Sequence, residues 1–343
     1  MCCEKTRTDI FLEDSKRIWN TIDPERFRDT VFLITGATGL IGATLVRALL
    51  YANRRNDLNL RIILWVRDRQ KAELLFKDAV ELEFVECDIT SAPEISVRVD
   101  YIVHCANPTS SRFFLNNLAD TINIAVEGTK NVLDICRKND IRGMVFLSSM
   151  EVYGFPQKGE EVTEDRMGGF DPTVPRNSYP ISKQLCESMC CAYAAQYKVP
   201  AKIIRLTQTF GPGVDYNDGR IFAEFARCAK EKKNIVLMTQ GETERCYLYT
   251  ADAVEAILVV LLDGAAGQAY TAANPKTYCS ILQMAQDFAK ENDISVEIAA
   301  KDVSKLGYAD TLYMKLNTDK IEKLGWKPKV GLMEMFRRMM EAM

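Results

Sequence analysis

The chain has 343 residues, 47% of them hydrophobic and 27% charged, with a formal net charge of −3. That length can bury a full core in one large or two modest domains, and the charge balance argues against a nucleic-acid partner. The longest apolar run, Ala256 to Leu262, is far too short to span a bilayer, which argues against a membrane partner.

Residues 1–30 are charged and loosely amphipathic, through Ile10, Phe11, Leu12, Ile18, Trp19 and Ile22, and read as a helical arm. From residue 31 short apolar runs alternate with helical periodicity, the pattern of an α/β parallel sheet covered by helices. Strands are predicted at Val31–Thr35, Leu60–Val66, Leu82–Val85, Tyr101–His104, Met144–Ser148 and Lys202–Leu206. Helices are predicted at Leu40–Ala52, Gln70–Ala79, Thr121–Lys138 and Ser178–Tyr197. The parallel-sheet domain is placed at residues 31–210. From Gly211 the pattern changes to loops, helices and short strands, so residues 211–343 read as a smaller substrate-binding region with segments crossing back. Eleven cysteines, an odd number, are scattered without a Cys-x-x-Cys pair, and His104 is the only histidine. A zinc site is therefore not expected, and with no apolar signal core the reading is a reduced, cytoplasmic, soluble protein. Cys186, Cys190 and Cys191 share one predicted helix and read as buried thiols.

Gly36-x-x-Gly39-x-x-Gly42 lies between a predicted strand and a predicted helix. Glycines permit a tight turn and close backbone approach, and the helix start offers free N–H groups and a positive dipole to phosphate. Gly36, Thr38, Gly39, Leu40, Ile41 and Gly42 are thus candidate contacts to a dinucleotide. The second strand ends Val66-Arg67-Asp68-Arg69. An acidic residue there suits the ribose diol of NAD and an arginine the 2′-phosphate of NADP; Arg67 comes first and points towards NADP. Asp88 and Ile89, after the third strand, are placed to frame the adenine.

Tyr179 and Lys183 stand four apart on a predicted helix and share one face. A free tyrosine titrates near pH ~10, and a neighbouring ammonium stabilises the phenolate towards neutrality. Of the thirteen tyrosines, no other has a lysine four residues on. Ser148-Ser149, ending the fifth strand, can orient a substrate oxygen. Read with the glycine loop, this set suggests redox chemistry on a hydroxyl.

In these segments the chain resembles the extended short-chain dehydrogenase/reductase family, in its nucleotide-sugar epimerase, dehydratase and decarboxylase branch. The resemblance runs from about Val31 to Leu332, nearly all the chain beyond the arm. It also rests on Val99–Ala106, Val126–Leu133, Ser148–Gly154, Phe210–Gly213 and Leu324-Gly325-Trp326-Lys327-Pro328. It implies a Rossmann-type doubly wound sheet, a nicotinamide cofactor, NAD(P), and a nucleotide-diphosphate sugar oxidised at C4 to a ketone. Tyr179 would then be the base, Lys183 its tuner and a cofactor-ribose ligand, and Ser149 the hydroxyl partner, while Arg245 would grip the diphosphate. A homodimer through the helices Thr121–Lys138 and Ser178–Tyr197 is also implied.

Departures from the family bear on the reaction. In the 4,6-dehydratases the three positions of Ser149-Met150-Glu151 carry threonine, aspartate and glutamate. Met150 cannot protonate a leaving hydroxyl, whereas Glu151 keeps a carboxyl at the base position and also matches uronate decarboxylases. Ala125 and Gln208 stand where the family usually has asparagine. The expected enzyme acts through a 4-keto sugar, with Glu151 favouring C5 chemistry over plain C4 epimerisation. An NADPH-dependent keto-sugar reductase and a non-catalytic dinucleotide sensor are the alternatives.

Overall fold

The computed structural model describes residues 2–77, 79–108, 113, 116–299 and 311–343, with side chains from residue 9 onward. Its centre is a seven-stranded sheet in the order β11-β7-β5-β4-β1-β2-β3. These are Ala269–Ala272 (β11), Ala201–Leu206 (β7), Gly143–Ser149 (β5), Tyr101–His104 (β4), Val31–Thr35 (β1), Arg61–Val66 (β2) and Leu82–Glu86 (β3). All six pairings are parallel.

Parallel strands covered on both faces must be apolar on both faces, and these are. Phe32, Ile34, Ile62, Leu64, Val103 and Val145 enter one buried cluster. Their chain neighbours Leu33, Ile63, Trp65, Ile102, Met144 and Phe146 enter the other. The first face is covered by helices α1 (Cys2–Ile18), α2 (Leu40–Asn56) and α7 (Thr250–Asp263). The second is covered by α4 (Leu118–Asn139) and α5 (Ser178–Tyr197), where Val132, Leu133, Cys136, Cys186 and Cys190 pack. Helix α3 (Arg69–Leu75) is shorter than the predicted Gln70–Ala79, and Asp78 lies outside the described residues.

The apolar run at Ala256 lies in α7, which is buried from Thr250 to Leu261. At 14 residues it is about 21 Å long, a core helix between the sheet and the outer helices. No described helix is long and apolar enough to cross a membrane. The nine described cysteines are free thiols; Cys186 and Cys190 are buried as expected, but Cys191 is exposed.

The remaining described helices are α6 (Ile221–Glu231), α8 (Ile281–Asn292), α9 (Asp319–Glu322) and α10 (Leu332–Ala342). A second sheet runs β12-β10-β14-β6, with β8 on the side of β10. These strands are Asn274–Ser280 (β12), Glu244–Tyr249 (β10), Tyr313–Leu316 (β14), Glu161–Val162 (β6) and Gln208–Phe210 (β8). Only Thr207 separates β7 in the first sheet from β8 in the second. β9 (Ile235–Leu237) and β13 (Val296–Ile298) pair separately.

Two buried charge clusters pin the periphery. Asp14 on α1 accepts from the Tyr249 hydroxyl at 2.6 Å and from Arg338 on α10 at 2.8 Å, fastening the N-terminal arm. On α7, Asp252 accepts backbone N–H groups of Lys329 and Val330 at 2.9 and 3.0 Å, and its carbonyl accepts from the buried Trp326 indole. Burial pushes the Asp252 carboxyl up to about 6. The folded protein then holds a proton that the unfolded chain releases near pH ~4, so stability falls as pH rises through the window between the two values. Replacing Asp252 with Asn removes that titration: from about pH 4 to pH 7 the variant's unfolding free energy should rise by about 3 kcal/mol relative to wild type, read by chemical denaturation.

Candidate active site

β1 ends at Thr35 and the chain turns at Gly36 with φ +66°. A Cβ at Gly36 would stand 2.7 Å from backbone atoms of Cys105 and Ala106, and one at Gly42 only 2.3 Å from the Gly36 carbonyl oxygen. Both positions therefore require glycine, the first for conformation and approach, the second for seating the helix on the loop. Gly39 meets only the Gly36 oxygen, at 3.3 Å, and is the N-cap of α2 without a side-chain cap. The N–H groups of Leu40, Ile41 and Gly42 thus lack intrahelical partners and face outward with the positive end of the helix dipole. With Thr38 they line a cavity of about 880 Å³. The open space that a side chain at Gly39 would fill, with free donors around it, fits a dinucleotide's pyrophosphate.

At one end of this cavity lie Arg67, Asp68, Lys71, Asp88 and Ile89. Asp68 is engaged as the N-cap of α3, accepting from Lys71 N at 2.9 Å. The Asp88 carboxylate accepts from the N–H and hydroxyl of Thr90, at 2.9 and 2.7 Å, and these bonds with nearby Arg67 hold it below the usual carboxylate range. Arg69 pairs with Glu73 and stacks over Phe84, so of the two arginines that follow β2 it is Arg67 that lines the cavity.

At the other end the carboxyl terminus of β5 meets α5. Ser149 Oγ accepts from Glu151 N at 3.3 Å, capping the 3-10 turn Met150–Tyr153, and hydrogen-bonds the Tyr179 hydroxyl. Lys183 is buried, donating to Leu147 O at 2.7 Å with its Nζ 4.7 Å from the Phe146 ring centroid and 6.0 Å from that of Tyr179. The cavity therefore brings together Ser149, Glu151, Tyr179 and Lys183. Met150 is buried, with its sulfur 3.2 Å from the Thr207 hydroxyl. Arg245, on β10, does not line the cavity. Its charge nevertheless leads those that favour ionised Glu151, and its Nε is buried without a hydrogen-bond partner.

Desolvation dominates the electrostatics here. Burial pushes the Glu151 carboxyl up against the opposing pull of Arg245, Arg176 and Lys183. It lowers Lys183 to about 8. The Tyr179 hydroxyl is pushed up, first by burial and then by the Glu151 charge, and only the Ser149 hydrogen bond opposes this. Sequence spacing registers the ammonium of Lys183 but neither this desolvation nor the carboxylate beside Tyr179. His104 is held neutral, lowered to about 3 by burial and Lys183, and ties β4 to β1 through Thr35 Oγ1 at 2.7 Å.

Sequence reasoning missed three residues. Asn107 lines the cavity just past β4, and neither atom of its buried amide has a hydrogen-bond partner. Its position next to the glycine loop is a signal the strand order could have supplied. Arg220, paired with Asp218 at 2.6 Å, also lines the cavity, and Arg176 acts on Glu151. Arg176 lies in the three-residue 3-10 turn Pro175–Asn177 and Arg220 caps α6, places too short or too irregular for periodicity to mark them. Of the family departures, Gln208 lines the cavity, while Ala125 is buried on α4 with its carbonyl accepting from Cys186 Sγ at 3.2 Å.

UDP-glucuronic acid decarboxylase 1 of Xenopus tropicalis is 29% identical over 318 residues, covering 88% of this chain and 69% of that one. UDP-glucuronic acid decarboxylase 6 of Arabidopsis thaliana is 28% identical over 303 residues, covering 88% and 85%. Among solved structures, an epimerase from Methanothermobacter thermautotrophicus has a TM-score of 0.80 at 20% identity, covering 94% of this chain and 95% of that one. A dTDP-glucose 4,6-dehydratase from Streptomyces venezuelae has a TM-score of 0.76 at 24% identity, covering 91% and 96%; these two likenesses show the fold. The model of the NAD dependent epimerase/dehydratase family matches residues 32–274, and the chain belongs to that family.

Proposed function

We propose that this protein is a lyase that decarboxylates a nucleotide-linked uronate through a 4-keto intermediate. The observation that carries this reading is the half-buried Glu151, which acts on Tyr179 and is acted on by Arg245, with the buried thioether of Met150 where a dehydratase holds its acid. The similarity to UDP-glucuronic acid decarboxylases supports it.

When bound, a nicotinamide ring supplies a site that takes hydride from C4 and returns it. Tyr179 would accept the C4 hydroxyl proton, with Ser149 holding the oxygen and Lys183 offering its charge and a contact to the cofactor ribose. A 4-ketone lies β to the C6 carboxylate, so the C5–C6 bond can break with its electron pair delocalised onto the ketone oxygen. Glu151, whose carboxyl keeps its proton to higher pH than usual, would protonate C5. Arg245, with an unpaired donor, would bind an anionic group of the substrate, its diphosphate on the family's pattern. The region from Gly211 onward would cover the sugar nucleotide. A dimer through α4 and α5 belongs to the same reading, supported by exposed Ile122 and Leu185 on those helices. So does preference for NADP, supported by Arg67 and Lys71 at the cavity end where Asp68 is already engaged as a helix cap.

Incubation with a panel of nucleotide sugars including UDP-glucuronate, followed by mass spectrometry, tests the reaction. Loss of carbon dioxide supports it; loss of water, or an unchanged mass with an altered sugar NMR spectrum, replaces it with dehydration or epimerisation. Tyr179→Phe and Glu151→Gln should each lower kcat by about a hundred- to ten-thousand-fold while sugar-nucleotide affinity holds. Arg67→Ala should weaken NADPH binding by about tenfold to a hundredfold and leave NADH binding unchanged in fluorescence titrations.

A further inference from the structure

Behind the cavity, away from its lining, lies a buried ion pair that the proposed chemistry does not use. Glu187 and Arg205 are each only 6% exposed at the side chain and pair at 2.7 Å. Glu187 also accepts from Ser148 Oγ at 2.5 Å, and Ser148 precedes Ser149 on β5. Arg205 donates in addition to the Glu164 carbonyl at 2.9 Å and stacks over Tyr153 at 4.9 Å. One turn of α5 earlier stands Lys183. A buried ion pair is a poor means of gaining stability, since desolvation offsets most of the attraction, so its place beside a buried ammonium calls for another account.

We propose that Glu187 is a positioning residue for the redox pair. Anchored by Arg205, its carboxylate fixes the strand end that carries Ser149 and provides the negative charge that keeps Lys183 protonated.

The charges around Lys183 single out Glu187. From α5, Cys186, Glu187 and Cys190 face it, and from the end of β4, Cys105. The thiols act only as thiolates, and burial pushes Cys186 and Cys190 up and Cys105 up to about 12, so all three are neutral in the working range. His104, also on β4, is neutral. Tyr179 holds its proton. Glu151 also faces the ammonium from beyond β5, and burial pushes its carboxyl up. Glu187, one turn along the same helix and ion-paired with Arg205, is the carboxylate among the groups that most oppose the desolvation of Lys183. Gln184, also on α5, donates to the carbonyls of Val152 and Gly168, both at 2.9 Å, so the same helix holds the turn that carries Glu151.

The inference rests on Lys183 being the cofactor-side member of the pair, as proposed above. Its test therefore needs no sugar substrate: fluorescence titration of NADH and NADPH against wild type and Glu187→Gln from pH 6 to pH 10. Wild-type affinity should fall as Lys183 loses its proton near pH 8. Glu187→Gln should move that midpoint down by about one unit, and Glu187→Asp should restore much of it. If Glu187→Gln fails to fold because Arg205 is left unpaired, Glu187→Gln/Arg205→Met removes both charges and should shift the midpoint in the same direction. An unchanged midpoint in whichever of these variants folds, accompanied only by a lower Tm, overturns the proposal. A substrate other than a uronate leaves this outcome readable, so failure of the reaction assignment and failure of the inference are distinguishable.

Discussion

The site depends on how closely two stretches of backbone approach at the seam between β1 and β4. At Gly36 the chain passes so near Cys105 and Ala106 that no side chain fits between them. That approach sets where α2 begins and therefore where its free N–H groups point. The same seam is where the sheet order reverses, so the crevice that results lies at the carboxyl ends of the strands. Thr35 and His104, hydrogen-bonded across it, hold the two strand ends in register.

Burial then decides the chemical character of what the crevice brings together. The catalytic candidates are a phenol, an ammonium and a carboxylic acid, and desolvation moves each towards its neutral form. Against this stand individual contacts: the Leu147 carbonyl and the Phe146 ring for Lys183, Ser149 for Tyr179, Arg245 for Glu151. Desolvation outweighs these contacts at all three groups, so a charge placed or removed one helical turn away moves a balance that already leans towards the neutral forms.

Much of this was legible in the sequence, because its strongest signals are periodic or stereochemical. The alternating apolar faces of Val31–Thr35 and Tyr101–His104 follow from a sheet buried on both sides, and those bounds agree with the structure. Gly36 and Gly42 mark positions that no other residue can occupy. Tyr179 and Lys183 share a face because a helix has a fixed pitch. What could not be read depends on contacts between distant segments. The raised Tyr179 comes from its burial and then from a carboxylate nearly thirty residues earlier, and the second sheet is built from strands as short as Glu161–Val162, too brief to show a period. Arg67 carries its meaning only once Asp68 is seen to be occupied with capping α3.

The sheet itself has one further consequence. Its last strand, Ala269–Ala272, is encoded after β8, α6, β9, β10 and α7, all of which follow β7, yet it pairs with β7 along the outer edge. Helix α7, which covers the same side of the core, is also encoded late. As the chain leaves the ribosome, the first six strands are therefore complete while one edge of the sheet still offers unpaired N–H and C=O groups beside an uncovered apolar face. The nascent chain stays exposed to edge pairing until about seventy further residues have emerged, so the time of greatest risk of aggregation is set by gene order.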